Sequence, residues 1–588
     1  MDNKEILARA HAYIAEEKDN AFRNQVQNLI HKEDYTELKE RFYQSLEFGT
    51  GGLRGIVGGG TNRINTYMIN RATQGLAAYV AKANPEKEKN GTLQAVVAYD
   101  SRNFSDVFAE ATALIFAANG FKTYLFSDLR PTPELSFAIT ELNCQTGVVI
   151  TASHNSREYN GYKAYWSNGA QVIPPHDTGI IDEVNAVKHV KTTTRSEAIA
   201  SGRLEIIDSI IDEKYWQMCQ DQLFRPDLIK KTAQHAKVVF TPLHGTGAKH
   251  VEKVLGNLGL SVITVPEQRE PDGNFPTISK PNPEEACALK MAVALAKKEK
   301  ADIVMATDPD SDRLGTAVPD NDGNFVLLTG NQMGVLLADY IILSRKEFNK
   351  MPKNPAIVRT IVTSNMIDTI AHKNGVYVEE VLTGFKWIAD AMIRYKKSGK
   401  HQFIFGLEES YGYLVETAVR DKDAISAAAM CAEMTLYWRS NGKSLLDRLE
   451  DLWTTYGYYE DRAIDKMFPG LSGFETMQNL MTNLRTQAPK SLGGEEVVQV
   501  RDILNLVSYH PSNKDTQTKL ALPSSNGLQF VLKGGTVVSA RPSGTEPKIK
   551  FYINSSVPAS GNLLADKKAG SSLCDAISLD INIILDNA

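Results

Sequence analysis

The sequence predicts a multidomain α/β protein, and three observations predict it. A chain of 588 residues is too long for one hydrophobic core, and 42% apolar content is enough to fill three to five of them. Short β-branched runs recur, at Val148-Val149-Ile150, Lys237-Val238-Val239-Phe240 and Asp302-Ile303-Val304-Met305-Ala306, with the composition of strands buried on both faces. Each run opens into a loop of chemically active residues, and helix-spaced segments separate the runs. That alternation favours mainly parallel sheets with ligands at the carboxyl ends of the strands.

Composition removes several function classes. The net charge is −5, with no basic block or basic stripe interleaved with aromatics, so nucleic acid is not an expected partner. The amino terminus is charged and amphipathic where a signal peptide needs an apolar core, and a cytoplasmic location is expected. The most apolar long window, Ala424 to Trp438, contains Glu433 and is shorter than a membrane span, so it reads as a buried helix and no membrane segment is expected. Cys144, Cys219, Cys287, Cys431 and Cys574 stand singly, without zinc or disulfide spacing. Any metal is expected to be held by oxygen.

In chain order, residues 1 to about 45 alternate apolar and charged positions and predict one or two helices outside the first domain. Phe48 to Gly60 holds seven glycines around Arg54, a composition that lets backbone N–H groups turn toward an anion. A helix over Arg71–Ala83 precedes a strand ending at Asp100-Ser101-Arg102, and another strand, Phe121–Phe126, leads to Arg130-Pro131-Thr132-Pro133. The Val148–Ile150 strand ends at Thr151-Ala152-Ser153-His154-Asn155, followed by Asn160-Gly161-Tyr162-Lys163. Ser153 is expected in an exposed strand-end loop, as a nucleophile. A hydrolase elbow needs glycines where Thr151 and Asn155 stand, which disfavours acyl chemistry. Ser101 is a second candidate serine.

A polar stretch from about 187 to 204 marks an expected domain edge. The loop Thr241 to Gly247 lacks the third glycine of a dinucleotide fingerprint, because position 250 is His250. In Asp308-Pro309-Asp310-Ser311-Asp312-Arg313, three carboxylates at alternate positions of a turn can converge on one hard cation. Calcium in an EF-hand is excluded by Arg313 at the sixth position and Pro319 at the twelfth. Further strand and helix signals run from 326 to 450 and include Thr383-Gly384-Phe385-Lys386 and Gly406-Leu407-Glu408-Glu409-Ser410-Tyr411-Gly412, whose carboxylates and hydroxyl suit sugar hydroxyls. Beyond about 460 the chain turns loop-rich, as at His510 to Gln517 and Leu522 to Gly527. There Arg541-Pro542-Ser543-Gly544-Thr545-Glu546-Pro547-Lys548 gathers guanidinium, hydroxyl and backbone donors into a phosphate cup. It is not a Walker loop.

TASHN, DPDSDR, GLEESYG and RPSGTEPK, in that order and together with GTGGLRG at 49 to 55 and TGFK at 383 to 386, resemble the α-D-phosphohexomutase superfamily, and within it the phosphoglucomutases. The resemblance implies a four-domain architecture, with three mixed or parallel-sheet α/β domains at 1–205, 206–325 and 326–460 and a smaller α+β domain at 461–588. It implies phosphorylated Ser153 as phosphoryl donor, with His154 beside it, Lys163 in a proton-transfer role, and Mg²⁺ held by Ser153, Asp308, Asp310 and Asp312. It implies substrate contacts from Arg54, Arg313, Lys386, Glu408, Ser410, Arg541, Ser543, Gly544 and Thr545. The implied reaction interconverts glucose 1-phosphate and glucose 6-phosphate through glucose 1,6-bisphosphate, which also serves as activator. Small sugar phosphates are then the partners. A mannose or pentose phosphate mutase, or a Mg²⁺-dependent sugar phosphatase, is the alternative.

Overall fold

A computed structural model describes residues 2–49, 51–468, 473–543 and 547–587. The chain forms two compact units, Met1–Leu328 with Tyr411–Tyr437, and Thr329–Ser410 with Trp438–Ala588.

The first unit starts with three helices, Asn3–Glu16, Asn20–His31 and Tyr35–Phe42, where one or two were expected. The division is set by capping. Asp2, Asp19 and Asp34 each accept a backbone N–H from the first turn that follows. Ile6, Tyr13, Val26, Leu38 and Phe42 close a small core of their own. These helices also explain part of the glycine-rich stretch. Arg41 Nη1 donates to the Gly59 carbonyl at 2.9 Å, and a Cβ on Gly59 would lie 2.4 Å from the Phe22 carbonyl oxygen. Those glycines admit a helix rather than an anion.

The first sheet runs in the order Gly52–Ile56, Tyr159–Trp166, Thr146–Ile150, Gln94–Tyr99, Lys122–Phe126, Leu204–Ile207. The last four strands are mutually parallel, while Tyr159–Trp166 is antiparallel to both its neighbours. The sheet is therefore mixed, four parallel strands with an antiparallel extension, within the mixed or parallel class expected. Arg54 lies on its edge strand, not in an open loop. Gly52 has φ +146°, and a Cβ there would fall 1.7 Å from the Tyr162 carbonyl oxygen, so this position admits glycine alone.

The second sheet runs Phe325–Leu328, Leu314–Pro319, Ile303–Thr307, Lys237–Thr241, Ser261–Thr264. Its last three strands are parallel and the first two form an antiparallel extension. The Leu204–Ile207 strand still belongs to the first sheet, beyond a polar stretch that carries the Arg195–Ala200 helix and its Thr194–Glu197 capping box. Sheet edges thus cross the expected borders at 205, 325 and 460 by a few residues.

In the second unit, Tyr377–Val381, Pro355–Thr360 and Gln402–Glu408 are parallel neighbours. A separate antiparallel sheet follows in the order Tyr458–Met467, Lys548–Val557, Val537–Pro542, Leu528–Leu532, Glu495–Asp502, Val507–His510, Asn513–Lys519. The stretch expected as loop at His510 to Gln517 lies mostly in the last of these strands. Its polar composition reflects an edge position, not an absence of structure. The carboxy-terminal helix Leu563–Asp586 buries Cys574, Ile577 and Ile581 in the core of this sheet. The architecture is four-domain α/β, with three α/β/α domains and a carboxy-terminal sheet domain. Among the described residues no helix is long and apolar enough to cross a membrane.

Tyr411–Tyr437 packs into the first unit, and its apolar window is the expected buried helix, with Ala424, Ile425, Ala428 and Cys431 at most 1% exposed. Just before it, Glu416 is buried and accepts the Val419 N–H at 2.9 Å. Burial and the nearby Asp423 push its carboxyl up to about 8. An unfolded chain ionises Glu416 near its ordinary value of about 4.3, so its contribution to stability is complete below that pH and is lost as pH rises toward 8. Glu416→Gln keeps the acceptor without the ionisation. Its thermal midpoint relative to the unsubstituted protein should rise between pH 5 and pH 9, as differential scanning calorimetry would read; a constant difference would refute the assignment.

Candidate active site

Ser153 follows the fully buried Thr146–Ile150 strand, at the expected carboxyl end. It is not exposed, however: Ser153 is 4% accessible. Its φ is +51°, a left-handed conformation uncommon for a residue with a Cβ and found at functional turns held by their surroundings. The restraint comes from Arg102. This buried guanidinium donates to the carbonyl oxygens of Ser153 (2.6 Å), Asn155, Ser156 (2.9 Å) and Tyr159 (3.0 Å), and its charge is balanced by Asp100, 3.4 Å away. The Thr151 hydroxyl receives the Ser153 N–H at 2.8 Å.

The Ser153 hydroxyl donates to Asp308 Oδ2 at 2.8 Å and lies 3.2 Å from His154 Nδ1. Asp308, Asp310 and Asp312 are essentially inaccessible, and one oxygen from each lies within 4.8 Å of the others. Asp310 Oδ1 and Asp312 Oδ1 are buried without a hydrogen-bond partner. Unsatisfied, converging carboxylate oxygens are what a hard cation fits. Burial, then repulsion from Asp310 and Asp312, raises the Asp308 carboxyl well above the ordinary range. Burial also opposes ionisation of Asp310, but the Lys163 ammonium, 2.7 Å away, outweighs it and holds that carboxyl low.

Lys163 projects from the strand beside Thr146–Ile150, paired with Val149, and reaches Asp312 at 3.5 Å. Desolvation would lower its basicity, yet the two aspartates raise it, so it carries a proton. Gly161 makes this approach feasible, since a Cβ there would sit 2.3 Å from the Thr151 carbonyl oxygen. Around the acidic loop, Thr246 N–H donates to the Pro309 carbonyl at 2.8 Å, and a Cβ on Gly245 would fall 2.3 Å from Pro309 Cα. The glycine loop at 241 to 247 is thus the bed of the acidic loop. Arg313 pairs with Glu284 at 2.6 Å, and Arg54 reaches the Asn155 side chain at 3.4 Å. His154 is kept neutral by burial, with Arg313 and Arg54 nearby.

Three contributors escaped the sequence reading. Thr132 donates its hydroxyl to Asp310 Oδ2 at 2.8 Å. Lys422 reaches Asp312 at 3.1 Å. Arg102, read only as the last residue of the Asp100-Ser101-Arg102 triplet, grips the Ser153 turn. Alternating charge in Arg420-Asp421-Lys422-Asp423, immediately before a buried helix, was the available signal for Lys422.

In the second unit, Glu408 Oε1 receives the Gly384 N–H at 2.7 Å, joining the two loops expected to face a sugar. Gly384 has φ +109°, which suits glycine and aims the chain into the Phe385–Ser398 helix, where Lys386 lies in the first turn. Ser410 is half-buried just beyond the Gln402–Glu408 strand. Arg541 is exposed near the end of the Val537–Pro542 strand, and Ser543 donates its N–H to the Lys548 carbonyl at 2.7 Å. Gly544 and Thr545 lie outside the described residues, as does Thr50 of the amino-terminal motif.

Residues 45–191, 213–323 and 329–456 match alpha/beta/alpha domains I, II and III of phosphoglucomutase/phosphomannomutase. The chain belongs to that family. It is 35% identical over 554 residues to a human phosphopentomutase, covering 91% of this chain and 88% of the relative. It is 34% identical to a phosphoglucomutase of Staphylococcus aureus, covering 90% and 93%. The fold matches parafusin, a Paramecium phosphoglucomutase in an open form, with TM-score 0.67 and 19% identity over 92% of this chain and 95% of that one. This family member is an isomerase of the phosphotransferase kind.

Because Arg102 grips four carbonyls with a planar fork, Arg102→Lys should loosen the turn even with charge retained. Isomerase turnover should fall roughly tenfold or more in a steady-state assay. Unchanged turnover would remove Arg102 from the machinery.

Proposed function

We propose that this family member is a phosphoglucomutase acting through phosphorylated Ser153. The observation that carries the reading is the Ser153 hydroxyl donating to Asp308 at 2.8 Å within a buried triad of carboxylates. Asp308, Asp310 and Asp312, with Ser153, would hold Mg²⁺, whose chemistry is to neutralise phosphoryl oxygens. The remaining work falls to the chain's own groups. As the bond from Ser153 Oγ to phosphorus breaks, a bond from a sugar hydroxyl oxygen to phosphorus forms and that hydroxyl's proton ends on Ser153 Oγ, giving a hexose bisphosphate and a free serine. In the return step Ser153 Oγ takes the other phosphoryl group and must lose its proton, for which neutral His154 at 3.2 Å is the acceptor at hand.

Lys163 holds its proton, so it acts as acid and fixed positive charge rather than as base. Phosphoryl transfer asks chiefly for alignment and charge neutralisation, and Lys163, Lys422 and Arg313 supply charge around the triad. Arg54, Arg541, Ser543, Gly544 and Thr545 are assigned to substrate phosphate, and Lys386, Glu408 and Ser410 to the sugar, on their motifs. The Gly-Leu-Glu-Glu-Ser sequence favours glucose over mannose. A pentose phosphate is the second reading, favoured by similarity to a phosphopentomutase at 35% identity.

Glucose 1-phosphate with trace glucose 1,6-bisphosphate and Mg²⁺ should yield glucose 6-phosphate without phosphate release. Comparing kcat/KM for glucose 1-phosphate and ribose 1-phosphate decides between the two sugar readings. Ser153→Ala should abolish turnover and covalent phosphate together; substantial residual activity would move the assignment to Ser101. Removing divalent metal with a chelator should stop transfer, with Mg²⁺ restoring it. Full activity of the chelated enzyme would exclude an essential metal.

A further inference from the structure

Behind the acidic loop, in the first unit, lies a cluster of buried charge that no step above uses. Arg130 is fully buried and grips Asp212 with two hydrogen bonds, Nε to Oδ1 at 2.7 Å and Nη2 to Oδ2 at 3.1 Å. Its Nη2 also reaches Asp208 at 3.0 Å, and Lys249 donates to Asp212 Oδ2. Glu134 is just as buried, yet neither of its oxygens has a donor. The nearest cation, Arg130 Nε, is 3.9 Å away and already committed. His250 offers no help: its Nδ1, 3.5 Å from Glu134 Oε2, accepts the Trp216 indole N–H at 3.0 Å.

An ionised carboxylate in that position would be a buried charge with no hydrogen bond. The Glu134 and Asp212 carboxyls both face Arg130 Nε, at 3.9 and 2.7 Å, and two carboxyls crowded around one buried cation attract each other only if one of them carries a proton. Asp212 faces two cations and is held ionised, so the proton belongs to Glu134. Burial and Asp212 push the Glu134 carboxyl strongly in that direction, and burial and Arg130 keep His250 uncharged.

The position of the cluster gives it a consequence. Arg130 and Glu134 flank Thr132, which binds Asp310 twice, through its N–H to the carbonyl at 2.9 Å and its hydroxyl to Oδ2 at 2.8 Å. Lys249 and His250 lie in the first turns of the Gly247–Asn257 helix. Just before that helix, Thr246 meets Ser311 Oγ at 2.9 Å and the Pro309 carbonyl. Asp212 lies on the Ser209–Asp221 helix that joins them. We propose that Glu134 is a positioning residue: as a neutral acid it donates to Asp212, locking the two helix starts that grip the acidic loop and thereby aiming Asp310. The inference deepens the metal reading of the triad and rests on it.

Two measurements test it. Infrared difference spectroscopy at neutral pH should show a protonated carboxylic acid that disappears in Glu134→Gln; absence of that signal, or its persistence in the variant, overturns the proposal. Mn²⁺ affinity, read by electron paramagnetic resonance without sugar phosphate, should fall roughly ten- to a hundredfold in Thr132→Val and in Glu134→Leu, as for loss of a group that orients a metal ligand. Glu134→Gln, which keeps a neutral donor, should stay within about threefold. KM for glucose 1-phosphate should move little in Thr132→Val while kcat falls at limiting metal. If Glu134→Gln loses affinity like Glu134→Leu, or Thr132→Val loses none, the positioning role is refuted. An unsubstituted protein that binds no Mn²⁺ would sink the metal reading and the aiming role with it, while the infrared result still decides the proton on Glu134.

Discussion

Three carboxylates packed into one water-excluded turn are the constraint that shapes the first unit. Two like charges a few ångströms apart in a low-dielectric interior repel by several kcal/mol even at an effective dielectric of about 20, so the turn exists only where compensating groups are brought to it. Lys163 arrives from the first sheet, Lys422 from the segment before the buried helix, and Thr132 from a helix start. The loop contributes its own backbone, with the N–H groups of Asp312 and Arg313 both donating to Asp308 Oδ1 at 3.1 Å. No one of these elements is local to the others. The packing of the first unit is the geometry that keeps the turn folded.

The same crowding accounts for the backbone around the site. Ser153, Leu243, His244 and Ser311 all adopt positive φ without being glycine, and each sits in a loop at the end of a sheet strand. Such conformations cost of order 1–3 kcal/mol each and persist only where surroundings determine them. Arg102 does this for Ser153, and the contacts of Thr246 do it for Ser311. Glycine appears where an approach is closer than any side chain allows, at Gly161 and Gly245 beside the two reactive loops. A serine hydroxyl and an acidic triad held this way are aligned in advance, and alignment is most of what the proposed phosphoryl transfer would require.

The second unit follows a different logic. The loops proposed for recognition sit on strand ends, with Glu408 tied to the Gly384 backbone and Arg541 left accessible. Gln529 and Asn554 of the antiparallel sheet donate to the Ile361 and Val362 carbonyls at 2.8 and 3.2 Å, and Arg501 of the same sheet pairs with Glu380, so the third α/β domain and the carboxy-terminal sheet domain are joined by backbone acceptors and by an ion pair.

By itself the sequence determined which reactive groups the chain carries and their order along it. The serine turn, the acidic turn and the two loops proposed for recognition each lie within a few consecutive residues, where local spacing and turn-forming residues already fix which groups can converge. It also determined the buried strands that carry them, because fully covered strands must be apolar throughout. What only the tertiary structure decided was long-range partnership. That Arg102 grips a turn some fifty residues away, that Thr132 binds Asp310, and that Lys422 reaches Asp312 follow from sheet order and helix placement, which no local pattern encodes. The same holds for the glycines from Gly58 to Gly60: composition marked close approach, but a packed helix is what came close. A residue's type limits what it can bind; which partner stands opposite is set by the energy of the whole packed arrangement.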